Sequence, residues 1–545
     1  MKKHECNRVF FVGMALLTFG LALKVNAYEQ RKTFAKEIKA KPGTLLVIDH
    51  FRGDIEITGG NTETLSIKVQ LDVRNKKKIL VDSFLENSSL ELEQKSSGDI
   101  LSFVTPMTME KDQADSIIGE DLRKMLKSGN WSLSVSQKMT ISLPSKQDLT
   151  VHNAYGNISI KEVNGNLLIN NRFGEVRLAS CGGTLTLSNG YALVEVTSFA
   201  GPVDIRNSNG PVTVRNTTET TKIHNTFQPI CFTNIQGDCI INSSYAEITG
   251  EKVDGDCTVH TSYKSVVVSH VKGNLEVRGP GSCVTAKHIT GRTTIESTDG
   301  PVDVNDVGSD LVVQCTSAPI TVGLIKGNAE IQSTFKSINV NHVVGTLKVN
   351  GHFCSVSVKH IDSGVTVSAT NKNIEVESVK GRLDVHASWA PVTVKDIGQS
   401  ANIRSTFGPI KIEGVGGDLV VNGDSCSVST DQVKGNIQVS NSYKYVVLKG
   451  TRGRVQVHGS YSPVEVEVAT FPRANEIEIV TSNKPAKLTL PKQMGAKLQV
   501  IAREIDLKLH RDDMAPTGEK NTWRLGDGGG HILVKAEGKV TVEQD

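Results

Sequence analysis

Val271-Lys272-Gly273-Asn274-Leu275-Glu276-Val277 decides the fold: a glycine, a polar residue, then two apolar residues on either side of one charged residue. The glycine marks a turn, and the alternation after it is that of a short strand with one face inward. The unit returns every 18 residues. With Gly273 as position 1, glycine recurs at 165, 183, 201, 237, 255, 273, 291, 327, 345, 381, 417, 435 and 453, and Glu219, Ser309, Ser363 and Gln399 fill the remaining slots without breaking the register.

Position 5 tests the repeat more severely, because a core position tolerates only aliphatic residues. It is aliphatic in all 17 copies, from Ile169 through Ile331 and Val349 to Val457, and position 12 is Val or Ile in all 17, from Val176 through Val302 to Val464. Positions 3, 14 and 17 are mostly apolar, as in Leu275, Val304 and Ile289. Each repeat therefore holds two short strands nine residues apart, joined by turns rich in Asn, Ser, Thr, Gly and Pro such as Ser405-Thr406-Phe407-Gly408-Pro409-Ile410. One such coil cannot bury its own apolar side chains; a stack can. The expected fold is all-β, a single-stranded parallel β-helix (β-solenoid) with 18 residues per coil, about 18 coils and a right-handed sense. At ~4.8 Å per rung the rod is on the order of 80 Å long.

Length and composition agree. A chain of 545 residues exceeds what one globular core supports, and its 49 glycines and 5% aromatic content suit strands and turns. Calcium-binding nonapeptide rolls share the 18-residue coil but need an aspartate ladder in the turns that this chain lacks. The formal charge of +3, with both signs interspersed, offers no basic block for nucleic acid or an anionic membrane.

The organisation expected is a signal peptide over residues 1–27, an N-terminal strand region and cap over 28–146, the solenoid over 147–470 and a C-terminal β cap over 471–545. Lys2, Lys3 and Arg8 precede an apolar run from Val9 to Leu23, and Val25-Asn26-Ala27 supplies the small residues of a cleavage site. The run is shorter than the ~20 residues of a spanning helix, so a retained anchor is the weaker reading. The mature chain is expected outside the cytoplasm, periplasmic or secreted to the cell surface. Within the N-terminal region, Ile117, Ile118, Leu122, Met125 and Leu126 share a helical face and suggest a helical insertion near 111–127 that covers the open end.

Three ladders are candidates for function. Position 9 is aromatic in most coils, and Tyr245, Tyr263, Trp389, Tyr443 and Tyr461 form a candidate ligand-contact stripe able to stack on sugar rings. The competing and favoured reading is a corner stack that closes the core. Position 16 carries His270 and His288, then His342 and His360, which could share a metal one rung apart; surface histidines are favoured because no carboxylate or cysteine column joins them. Cys239 and Cys257 share an inward slot in adjacent coils, as a disulfide or as two buried thiols. Paired carboxylates, a Ser-His-Asp set and a phosphate loop are not found in usable context, so no catalytic, cofactor-binding or metal residue is assigned.

The entry segment Gly53-Asp54-Ile55-Glu56-Ile57-Thr58-Gly59, the step from Ser142-Leu143-Pro144 to Leu149-Thr150-Val151, and the units Gly156-Asn157-Ile158-Ser159-Ile160 and Gly165-Asn166-Leu167-Leu168-Ile169 carry a resemblance. In these residues the chain resembles the bacterial adhesin β-strand-repeat family, a domain of unknown function similar to head GIN adhesin-like domains. The resemblance implies a parallel β-helix-like fold and an extracytoplasmic place, and carries over no functional residue. The function expected is that of a non-enzymatic, adhesin-like scaffold or binding protein of the cell envelope, with envelope polysaccharide or another envelope protein as partner and no nucleic acid. The alternative is a carbohydrate-active β-helix enzyme acting on polysaccharide, which normally requires long loop insertions that this unbroken register leaves no room for.

Overall fold

The computed structural model describes residues 27–40, 44–95, 98–108, 122–124, 133–510 and 514–545. The expected signal peptide lies outside the described residues except for Ala27, and the expected insertion near 111–127 lies outside them except for a helical turn at 122–124.

The chain is an all-β solenoid of about 19 stacked parallel coils. Each coil contributes one strand to each of two facing sheets, as Leu275–Gly279 does to one and Val284–Ile289 to the other. Residues 18 apart are direct partners: Ile331 pairs with Val349, and Val349 with Val367. Positions 3 and 5 of one sheet and 12, 14 and 17 of the other point inward, so the core is a continuous column of aliphatic side chains between the sheets. Ile331, Val349, Val367 and Val385 are fully buried.

Polar residues at fixed slots hold the corners. After the glycine of position 1, an Asn or Asp side chain accepts a hydrogen bond from the backbone N–H of position 2 in the next coil. Asp256 Oδ1 accepts from Asn274 N at 2.7 Å, and Asn274 Oδ1 from Arg292 N at 2.9 Å. Glycine suits most coils here because they nearly touch: a Cβ on Gly291 would stand 2.4 Å from the carbonyl oxygen of Gly273.

At position 7 a file of buried asparagines, among them Asn171, Asn189, Asn207 and Asn225, closes the other corner. Asn207 Nδ2 donates to the carbonyls of Ala192 (3.1 Å) and Gly210 (2.8 Å), tying its own coil to the one before; Asn225 does the same with Gly210 and Gln228. These amides satisfy carbonyls that the turn removes from the sheet ladder.

Both ends change pattern. The coil made by Leu45–Arg52 and Asp54–Gly60 sits on the first repeat, and strands Gly98–Val104 and Ser134–Pro144 pair on its outer edge. Beyond them Ser89–Lys95, Thr64–Asn75 and Tyr28–Lys39 add antiparallel, and helix Lys78–Glu86 packs Leu80, Val81, Phe84 and Leu85 at this end. At the other end Glu476–Ser482 and Ala486–Leu490 carry the coil on. The last two strands of the chain, Gly530–Ala536 and Lys539–Gln544, slot in between that coil and the outer one formed by Ala496–Ile501 and Glu504–Lys508. Antiparallel Thr522–Leu525 and Met514–Pro516 finish that edge.

Candidate functional site

The turn between the two strands of each coil places position 9 at the crest of a corner. All twelve aromatic residues there stand out into solvent, from Phe173 at 39% exposed to Tyr263 at 64%. The favoured expectation of a ring stack closing the core is therefore corrected. The core at this corner is closed one layer deeper, by position 7 and by small buried residues at position 10 such as Ala246, Ala318, Cys354, Ala390 and Cys426. The coils approach closely at this corner, where a Cβ on Gly210 at position 10 would stand 1.9 Å from the carbonyl oxygen of Ala192, so only small residues fill the inner layer and the rings lie outside it.

Outside, the rings stack on one another along the rod. Centroids lie 4.8 and 5.0 Å apart through Tyr155, Phe173 and Tyr191, and 5.9 and 5.5 Å apart through Phe227, Tyr245 and Tyr263. The pairs Phe335 with Phe353, Trp389 with Phe407, and Tyr443 with Tyr461 are spaced 5.8, 4.1 and 5.8 Å. Planes within every stack lie within 22° of parallel. All five residues of the expected stripe belong to these stacks.

Beside the rings, position 8 is a file of hydroxyls that includes Ser208, Thr226, Ser244, Thr370, Ser388, Thr406, Ser442 and Ser460. Polar grooves run along this side of the rod. One, of about 590 Å³, is lined by Arg206, Ser208, His224, Thr226 and Asn242, and another, of about 550 Å³, by Ser440, His458, Ser460 and Ser482. The sequence reading found the rings but missed the hydroxyls beside them, although Ser or Thr before the aromatic residue was the available signal.

The opposite corner holds the two histidine pairs of position 16. Position 16 is left-handed in every coil from Glu162 to Gly450, with φ between 52° and 75°. Asn, Asp and His enter that conformation more readily than most residues, and they fill eight of the 17 places. His270 and His288 lie 4.8 Å apart, ring to ring. Asp306, one coil further, meets His288 Nδ1 at 2.6 Å, so the expectation that no carboxylate adjoins these histidines is corrected. Among the described residues no group of three or more His, Cys, Asp or Glu is placed to hold a metal ion. Near His342 and His360 a groove of about 860 Å³ runs over Gly398, Gly414 and Gly416 towards Lys434 and Arg452.

Cys239 and Cys257 are register partners, fully buried and free. Burial, together with the neighbouring thiol, pushes Cys239 well above the ordinary thiol range, which keeps it protonated and unreactive. Charged side chains on the outer faces pair across coils, as Lys348 with Glu330 at 2.8 Å and Lys359 with Glu377 at 2.9 Å. Such exposed pairs add little stability. Among the described residues no helix is long and apolar enough to cross a membrane.

No protein-family model matches the chain, and no curated protein matches it. A solved structure from Clostridium sporogenes, named a "putative cell adhesion protein", is similar at 10% identity and a TM-score of 0.17 over 49% of this chain and 100% of that one. At that score the likeness carries no argument about what this chain does.

Proposed function

We propose that this chain is an exported, non-enzymatic, adhesin-like scaffold of the bacterial cell envelope, which contacts envelope polysaccharide along its aromatic corner. The observation that carries the reading is the row of twelve aromatic residues exposed on one edge of a rod whose other apolar columns are buried. Apolar surface gathered in stacks along one edge is unusual on a protein with no partner. Rings flanked by hydroxyls suit a sugar, which offers apolar C–H faces and a rim of hydroxyls.

A glycan-array comparison of the wild-type protein with Trp389→Ala/Tyr443→Ala tests this. Loss of glycan signal in the double variant is expected, and undiminished signal would remove the corner from consideration. Turnover of any bound glycan by the purified protein would overturn the non-enzymatic part of the proposal. Fractionation of cells for the mature chain tests its export.

A further inference from the structure

The ring ladder is interrupted, and the interruptions have a size. Rings that stack along the rod cover one another's faces and leave only edges to a ligand approaching from the side. Faces are free only where a stack ends. At three places the interruption is a single coil: Asn209 between Tyr191 and Phe227, Asn371 between Phe353 and Trp389, and Ser425 between Phe407 and Tyr443. The flanking rings are then two rungs apart, about 10 Å at ~4.8 Å per rung. That is twice the 4.1–5.9 Å separating neighbours within the stacks, so one more flat ring fits in each gap at ordinary stacking distance from both sides.

We propose that these gaps are slots for a single pyranose ring, inserted edge-on from solvent and sandwiched between two aromatic faces. This rests on the glycan-binding reading above and deepens it: the ligand is a chain end or a branch residue, not a strand lying along the rod. The polar groups alongside each slot favour a sugar over a purely aromatic ligand. Beside Ser425 is the exposed carboxylate of Asp424, hydrogen-bonded by the hydroxyl of Ser442. Near Asn371 are Thr370, whose Oγ1 accepts from Phe353 N at 3.3 Å, and the Ser388–Thr406 hydroxyl pair at 2.9 Å. Asn209 brings its own amide, which donates to the Gly190 carbonyl at 3.3 Å. Apolar faces above and below, with polar groups alongside and a carboxylate at one of the three slots, match a ring whose faces are C–H and whose rim is hydroxyl.

The slots can be closed without disturbing the coil. Asn371 and Ser425 already have φ of 65° and 58°, within the 54–65° of Phe353, Trp389, Phe407 and Tyr443 at the same position. Asn371→Phe and Ser425→Tyr should fill two of the three slots, fold normally and melt no lower than wild type. Calorimetric titration of the full chain with chitotetraose, cellotetraose and mannotetraose should show binding of at least one to the wild type, and in the closed double variant a fall in the number of sites from three to the one left at Asn209. If the closed variant binds like wild type while Trp389→Ala/Tyr443→Ala does not, the slots are refuted and the open stripe survives. If neither pair of substitutions alters binding, or no tetrasaccharide binds the wild type, both readings fall. Binding of indole with no sugar binding would refute the choice of ligand.

Discussion

The two corners of the coil solve the same problem in different ways. At position 16 the chain turns through one left-handed residue in all 17 coils, and ten of those residues are the Gly, Asn, Asp or His that this backbone accepts most readily. At position 9 the turn geometry changes along the rod. Tyr155, Phe173, Tyr191, Phe227, Tyr245 and Phe335 lie outside the left-handed region, whereas Tyr263, Phe353, Trp389, Phe407, Tyr443 and Tyr461 lie inside it. The aromatic residue persists through both geometries, although β-strand turns have no backbone need for a ring and a left-handed aromatic is strained. Backbone conformation therefore explains the composition of one corner and not of the other, which is why the aromatic corner is the better candidate for contact with a partner.

Both corners hang on one shared core, and the largest effect should come from breaking it. Val349→Asp places an unpaired charge in the column between the corners and should cost on the order of 4 kcal/mol or more. Limited proteolysis should then cut near residue 349; a fragment pattern like that of wild type would show that the coils are not stacked through this column.

The second effect concerns the buried side of the aromatic corner. His50 pairs in register with Asn153 and so begins the position-7 file. Burial lowers its pKa from 6.5 to about 4, and neither ring nitrogen has a hydrogen-bond partner. The folded state thus keeps the imidazole neutral where the unfolded chain would protonate it. That contribution is complete above pH 6.5 and is lost as the pH falls towards 4, by about 3 kcal/mol at full extent. Thermal unfolding of wild type should lose stability between pH 6.5 and 4.5 more steeply than His50→Leu; parallel pH profiles would exclude His50 as the cause.

Third, Asn207→Ala removes the amide that satisfies the carbonyls of Ala192 and Gly210 and should cost about 1–3 kcal/mol. Denaturant midpoints should place it well below Trp389→Ala, whose ring is outside; the reverse order would mean that the rings, not the amides, hold this corner. The smallest effect belongs to the other corner. Leu324 is left-handed with φ of 52°, and Leu324→Gly should gain up to about 1 kcal/mol by relieving that strain. A loss in melting temperature would show that the side chain at position 16 does more than the backbone argument allows.

The rod was legible because a core column records itself directly: Ile331, Val349 and Val367 are aliphatic since each lies on the next. The corners were legible only in part. Asn207 reads as a turn residue, and nothing in its spacing tells that its amide is buried between two coils. Helix Lys78–Glu86 was missed because its Leu80, Val81, Phe84 and Leu85 occur once, outside any repeat that would amplify the signal. The rings at position 9 were found, but were expected to face inward.

The period of 18, the two strands per coil and the identity of the inward residues are properties of the sequence alone, because parallel stacking demands the same residue type every time the chain returns. The direction in which the position-9 rings point, the pairing of His288 with Asp306 and the insertion of the final two strands beneath an earlier coil were decided by the folded structure. Each depends on how closely two backbones approach across a corner or an end, and that distance is set by the stack as a whole, not by any one repeat.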